Sequence, residues 1–173
     1  MSIELIVLDV DGVLTDGKLY IGSDGTEYKA FHTQDGMAIS LAKQAGIKTA
    51  IISGRKSDAV LRRASDLKID FVYEGIHDKW KILEEVIDEI GIGLENVCYM
   101  GDDLNDIPIL RKVGWPCAPH NAIDFVKQNA EFVARSNGGE GAVREMIDAL
   151  LIQQFNEEEL LQLFLSSKMK ITQ

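Results

Sequence analysis

The chain has 173 residues, enough for one domain that buries a single good core without staples. Its 18 basic and 28 acidic residues leave a net charge of −10 with no Lys/Arg run, a balance that repels a nucleic-acid backbone rather than holding it. No apolar run approaches the ~18 residues of a membrane span, the start MSIELIVLD lacks the basic opening and cleavage site of a signal peptide, and Cys98 and Cys117 form neither a disulfide framework nor a zinc spacing, so a cytoplasmic protein with reduced thiols is expected.

In chain order, four apolar residues from Leu5 to Leu8 run straight into Asp9 and Asp11, then into Gly12, which suits a sharp backbone turn. The pattern predicts a buried strand that ends in acids, and open parallel sheets bind their ligands beyond the carboxyl ends of strands. Two like charges so close need a proton or a cation, so the pair suggests a hard metal such as Mg²⁺. A plain acidic turn is the alternative for an isolated pair of this kind. Residues 18–31 hold two short β-prone runs around Gly22, Ser23, Asp24 and Gly25 and predict a hairpin. Asp35 and Gly36 open a helix with Met37, Ala38, Leu41, Ala42 and Ala45 on its apolar stripe and Gly46 as its stop.

A buried strand over 47–52 ends in Ser53, Gly54, Arg55 and Lys56, and Ser57 or Asp58 caps a helix carrying Val60, Leu61, Ala64 and Leu67. Residues 71–73 form a third strand and 78–90 a helix with Lys79 at its start and Gly91 after its end. The strand over 97–100 runs into GDDLND, residues 101–106, and a short helix to Lys112. Short outer strands over 115–118 and 131–133 flank a helix begun near Asn121, and 140–154 is a helix. Asn156 with its three glutamates starts a last one, whose apolar side is Leu160, Leu161, Phe164 and Leu165. The expected division is a main domain over 1–154, hairpin included, and a helical extension over 155–173.

Strands alternating with helices of this length predict a doubly wound, Rossmann-like α/β fold with a parallel sheet and right-handed crossovers. Successive strand ends then carry Asp9 with Asp11, Ser53, the Lys79 region, and Asp102 with Asp103. These are a nucleophile and acid, a hydroxyl, a cation and metal-binding carboxylates, the parts that phosphoryl transfer needs. Taken singly, Ser53 reads as a turn serine, Lys79 as a solvated lysine of a first helical turn, and Asp102 with Asp103 as a helix cap.

The ordered set DxDGVLTDG, ISGR, a lysine opening a helix, and GDDLND resembles the haloacid dehalogenase superfamily, specifically its small phosphatases, over residues 5–145. That resemblance implies Asp9 as nucleophile and Asp11 as general acid and then base. It implies Mg²⁺ held by Asp9, the Asp11 backbone carbonyl and Asp102, with Asp103 in support, and Ser53 and Lys79 at the phosphoryl oxygens. Only 41 residues separate Asp11 from Ser53 and 25 separate Ser53 from Lys79, which leaves no room for a cap domain. Capless phosphatases of this kind are tetramers, so the hairpin is expected to act as a flap between subunits of a homotetramer.

VDGVLTDG, FHTQDG, ISGRKS and GGEGAVRE are similar to the phosphatases of sugar acid phosphates within that superfamily. The substrate this implies is 3-deoxy-D-manno-octulosonate 8-phosphate, on the route to lipopolysaccharide, with a nine-carbon sialic-type acid 9-phosphate as the alternative. Gly54, Arg55, Lys56, Asp35 and Arg144 are the candidates for holding it, Arg55 because a guanidinium fork suits a carboxylate. A non-catalytic oligomerisation or sugar-acid-binding module is the reading from another class.

Overall fold

The structure, a computed structural model, describes residues 2–165. Six parallel strands form one sheet: β1 (Leu5–Leu8), β4 (Lys48–Ser53), β5 (Phe71–Glu74), β6 (Val97–Met100), β7 (Trp115–Ala118) and β8 (Phe132–Val133), in the spatial order β5-β4-β1-β6-β7-β8. Two further strands, β2 (Tyr20–Ile21) and β3 (Glu27–Tyr28), pair antiparallel as a separate hairpin with Tyr20 opposite Tyr28. From β1 the chain fills one side of the sheet through β4 and β5, then returns to lay β6 on the other side of β1. The order in which the chain adds strands therefore reverses between β1 and β6, and a crevice opens there beyond the strand ends.

The apolar run of β1 has no polar alternation because both of its faces are covered. Ile6 and Leu8 join a core with α1 (Thr33–Gln44), α2 (Asp58–Leu67) and α6 (Ala142–Gln154), while Leu5 and Val7 join another with α3 (Lys79–Ile90), α4 (Ile107–Leu110) and α5 (Asp124–Lys127). All four side chains are fully buried, and each contributes about 1.5–3 kcal/mol relative to exposure. β6 repeats the division, with Cys98 and Met100 on one face and Val97 and Tyr99 on the other.

Helix ends follow local chemistry. The Asp78 carboxylate accepts the Lys81 N–H at 3.1 Å, and Gly91, at φ +79°, closes α3 by donating its N–H to Ile87 O at 2.8 Å. Helix α1 begins at Thr33, two residues before the Asp35 start read from the sequence, with His32 in the N-cap position. The last helix, α7 (Glu157–Leu165), opens with reciprocal bonds between Asn156 and Glu159. Phe155 and Leu160 pack on the core beside α6, so this part of the expected extension shares the main core; residues 166–173 lie outside the described residues.

Only the hairpin and α1 stand between the β1 turn and β4, and only α2 and β5 between β4 and α3, as a capless chain requires. Of the hairpin's apolar residues, Leu19, Tyr20, Ile21 and Tyr28 are exposed, whereas Phe31 packs against the core. Cys98 and Cys117 are free, buried thiols, and β6 and β7 bring their Sγ atoms to 3.8 Å. Among the described residues no helix is long and apolar enough to cross a membrane.

Candidate active site

Asp9 leaves β1 still tied to β6, its N–H donating to Met100 O at 3.1 Å. Its Oδ1 accepts the Val10 N–H at 2.7 Å and its Oδ2 lies 2.8 Å from Lys79 Nζ. The next five residues, Val10–Leu14, make a wide turn that Thr15 closes by donating its N–H to Val10 O at 3.1 Å. Within the turn Gly12 sits at φ +88°, and a Cβ there would collide with the Asp102 carboxylate, so both conformation and space demand glycine. Gly138 packs on the other side of Gly12 with no room for a side chain, and Asn121 stitches the two by accepting the Gly138 N–H at 2.7 Å and donating Nδ2 to Gly12 O at 3.3 Å. The glycine-rich segment before α6 thus supports the first turn from below.

Lys79, at the start of α3, is buried and has Asp9 Oδ2 and Asp106 Oδ1 each 2.8 Å from its Nζ. Asp106 is fully buried, and its other donors are Tyr99 Oη at 2.6 Å and the backbone N–H groups of Asp102 at 2.9 Å and Asp103 at 3.2 Å. This one carboxylate fixes the lysine and shapes the loop that presents Asp102. Burial pulls the Lys79 ammonium down, but the Asp9 and Asp106 charges outweigh it and hold Lys79 above its ordinary value. Burial also pushes the Tyr99 hydroxyl well up, reinforced by Asp106, so it stays a donor.

Asp9, Asp102 and Asp106 each bring a carboxylate oxygen within 4.8 Å of the others. One ammonium cannot balance three such charges. Burial lifts Asp9 to about 6 against the opposing pull of Lys79, with Asp106 adding to the rise. Burial and the charges of Asp9, Asp106 and Asp103 lift Asp102 to about 8. An excess of hard, negatively charged oxygens at one point fits a divalent cation. Asp106 has its oxygens taken by four donors, so the oxygens left for a cation are those of Asp9 and Asp102.

A cleft of about 240 Å³ opens over this cluster, lined by Asp9, Asp11, Gly17, Ser53, Gly54, Arg55, Asp102, Asp103 and Asn105. Ser53 ends β4, and its Oγ accepts the Arg55 N–H at 3.3 Å. Arg55 Nη2 pairs with Glu27 Oε2 of the hairpin at 2.6 Å, and its Nε is 3.7 Å from Asp11 Oδ2. Lys29, also on the hairpin segment, places Nζ 2.5 Å from Asp11 Oδ1 and 3.2 Å from Glu27 Oε1.

Three of the expected substrate residues stand outside the cleft of their own chain. Asp35 is buried beneath α6 and accepts the Arg144 N–H at 2.8 Å, so it serves that helix start, with burial raising its carboxyl. Arg144 turns its guanidinium to Asp148 at 2.6 Å, one helical turn on. Lys56 lies along Gly75 and borders a separate groove with Thr26 and Ser57. Asp103 reaches the cleft but is exposed and caps its own Leu104 N–H at 2.7 Å; the buried supporting carboxylate is Asp106. Asp106 stands in GDDLND, where a spacing of four from Asp102 in a turning loop points it back at the strand end. Glu27 and Lys29 were legible only as an alternation that puts residues 27 and 29 on one face of the hairpin, with Tyr28 on the other.

The sequence profile of the haloacid dehalogenase-like hydrolases matches residues 69–147. The 3-deoxy-D-manno-octulosonate 8-phosphate phosphatase KdsC of Escherichia coli (strain K12) is 42% identical over 158 residues, which is 91% of this chain and 84% of that protein. The crystal structure of a probable YrbI family phosphatase from Pseudomonas syringae pv. phaseolica superposes with a TM-score of 0.91 at 46% identity, covering 95% of this chain and 93% of that one. The 3-deoxy-D-manno-octulosonate 8-phosphate phosphatase of Moraxella catarrhalis, solved with a magnesium ion, a phosphate ion and KDO, gives a TM-score of 0.89 at 38% identity over 94% of this chain and 93% of that one. The chain belongs to the haloacid dehalogenase-like hydrolases, and among them it is similar to the 3-deoxy-D-manno-octulosonate 8-phosphate phosphatases.

Proposed function

We propose that the protein is a Mg²⁺-dependent phosphatase that hydrolyses 3-deoxy-D-manno-octulosonate 8-phosphate to the free sugar acid and phosphate, a step towards lipopolysaccharide. The observation that carries this reading is the meeting of Asp9, Asp11, Ser53, Arg55 and Asp102 in one cleft, with Lys79 directly behind Asp9. The likeness to phosphatases named for that substrate supports it.

In this reading Asp9 attacks phosphorus and the bond to the sugar oxygen breaks, while Asp11 gives its proton to that oxygen and an aspartyl phosphate forms on Asp9. Asp11, now ionised, takes a proton from a water whose oxygen attacks the same phosphorus, which frees Asp9 and releases phosphate. The Ser53 hydroxyl and the Lys79 ammonium bind the phosphoryl oxygens, and Lys79 also orients the nucleophile. Asp9, Asp102 and the backbone carbonyl of Asp11 would hold Mg²⁺, with Asp103 and Asp106 in support, and the ion would supply positive charge against the phosphoryl group. Gly54 lines the cleft beside Ser53, and Arg55 is the partner for the substrate carboxylate. Asp35 and Arg144 bond within their own chain and Lys56 borders another groove, so a part for Arg144 would be at a neighbouring subunit's site.

Leu19, Tyr20, Ile21 and Tyr28 expose 42–64% of their surface on a hairpin beside an uncapped cleft, which supports a homotetramer joined through the hairpins. Phosphate release from a panel of sugar and sugar acid phosphates, with and without Mg²⁺, tests the whole reading. Preference for the nine-carbon acid would shift the substrate, and release from none of them would leave a binding module.

A further inference from the structure

Four side chains at the mouth of the cleft form a closed ring of alternating charge. Asp11 Oδ1 meets Lys29 Nζ at 2.5 Å, Lys29 meets Glu27 Oε1 at 3.2 Å, Glu27 Oε2 meets Arg55 Nη2 at 2.6 Å, and Arg55 Nε returns to Asp11 Oδ2 at 3.7 Å. Asp11 and Arg55 belong to the sheet's strand ends, whereas Glu27 and Lys29 come from the hairpin, a separate two-stranded sheet. Lys29 is almost fully buried in the ring and is held there by both carboxylates. Arg55 is different: about half exposed, it borders the cleft, and its Nη2 is held by a carboxylate on a long, flexible side chain.

A guanidinium edge that binds one carboxylate cannot bind a second in the same plane. The Glu27 carboxylate takes Nη2, one of the two donors of a bidentate fork, and offsets the charge that an incoming sugar acid needs. We propose that Glu27 is an internal competitor for Arg55: it holds the guanidinium in the ligand-free enzyme, gives it up to the carboxylate of a sugar acid phosphate, and so sets how strongly the enzyme selects carboxylate-bearing esters. This rests on the assignment of Arg55 to the substrate carboxylate. Lys29, bound on its other side to Asp11, keeps the hairpin at the site after Glu27 lets go of Arg55, so the exchange needs no unfolding of the flap.

The test is calorimetric binding of free 3-deoxy-D-manno-octulosonate and, separately, of inorganic phosphate to the Mg²⁺-loaded full chain. Glu27→Gln removes the competing charge, and Glu27→Asp keeps the charge but draws it back from Arg55. Both variants are expected to bind the sugar acid about two- to five-fold more tightly, the range set by an exposed ion pair, with a smaller change for phosphate. The gain is expected to vanish when Arg55→Ala is added. Equal shifts for sugar acid and phosphate, or tightening by Glu27→Gln but not by Glu27→Asp, would mean a general charge effect and overturn the competition. If Arg55→Ala weakens sugar acid binding while neither Glu27 variant tightens it, the competition alone is wrong. If Arg55→Ala leaves sugar acid binding unchanged, the assignment of Arg55 fails and takes this inference with it.

Discussion

Lys29 Nζ lies 2.5 Å from Asp11 Oδ1, so a side chain from the hairpin grips the carboxylate two residues beyond Asp9. The Lys29 side chain is only 2% exposed against 23% for Asp11, and the pair fixes where the Asp11 carboxylate points. Lys29→Met is therefore expected to lower kcat by about 10- to 100-fold, the scale of a misplaced catalytic group. Steady-state rates on a sugar acid phosphate and on a neutral aryl phosphate should both fall, since hydrolysis of the aspartyl phosphate needs Asp11 as base whichever ester formed it. A loss confined to the sugar acid ester would assign Lys29 to substrate recognition instead.

Asp9→Asn should reduce turnover by about 1,000-fold or more while the fold persists. The amide oxygen still accepts the Val10 N–H, but an amide is no nucleophile towards phosphorus. Phosphate release and far-UV circular dichroism check the two halves, and near wild-type turnover would remove Asp9 from its role.

Asp106→Ala should cost about 3–5 kcal/mol of stability, because it leaves the Lys79 ammonium buried against fewer charges and orphans Tyr99 Oη and two backbone N–H groups. Urea denaturation measures it. A change under about 1 kcal/mol would show that the Asp106 network is dispensable for the fold.

The raised carboxyls make a pH prediction with a definite sign. Asp9 at about 6 and Asp102 at about 8 both stand above the unfolded value near 3.8, so the metal-free fold binds more protons than the unfolded chain. Their contribution to stability is fully present below that unfolded value and is lost as pH rises through 6 and then 8. A divalent cation replaces those protons, so Mg²⁺ should raise Tm more at pH 8.5 than at pH 6, and its binding near pH 7 should release protons to buffer. Equal Mg²⁺ stabilisation at both pH values would contradict the cluster as the cation site.

If the proposed homotetramer forms through the hairpins, Ile21→Asp together with Tyr28→Asp should convert it to smaller species. The two residues expose 64% and 61% of their surface, and two charges per hairpin have no place in a packed apolar contact. Light scattering at micromolar concentration reads the mass; a wild-type monomer would dispose of the assembly outright.

The local character of the signals explains how much of this was legible in the sequence. Leu5–Leu8 is apolar throughout because both faces of a central parallel strand are covered, and the residues that follow any such strand are delivered to the same sheet edge. Asp9, Asp11, Ser53, Lys79 and Asp102 were therefore placed by counting strands and helices, without knowing a single contact. The spacing between them also excluded a cap, because a domain needs residues and there were none to spare.

What the sequence left open depends on which groups fold back on one another. Lys29 and Asp11 are 18 residues apart, Glu27 and Arg55 28, and Lys79 and Asp106 27. Each pair joins two elements whose relative position follows from the packing of the whole chain. The same packing turned Arg144 and Asp35 into partners at a helix start and drew Lys56 away from the cleft, although by type and position Arg144 and Lys56 suited an anionic ligand. Residue chemistry and strand order determined which groups can react; only the tertiary structure decided which charges are already satisfied by a neighbour, because in a buried, low-dielectric site every ion must find its partner through space rather than along the chain.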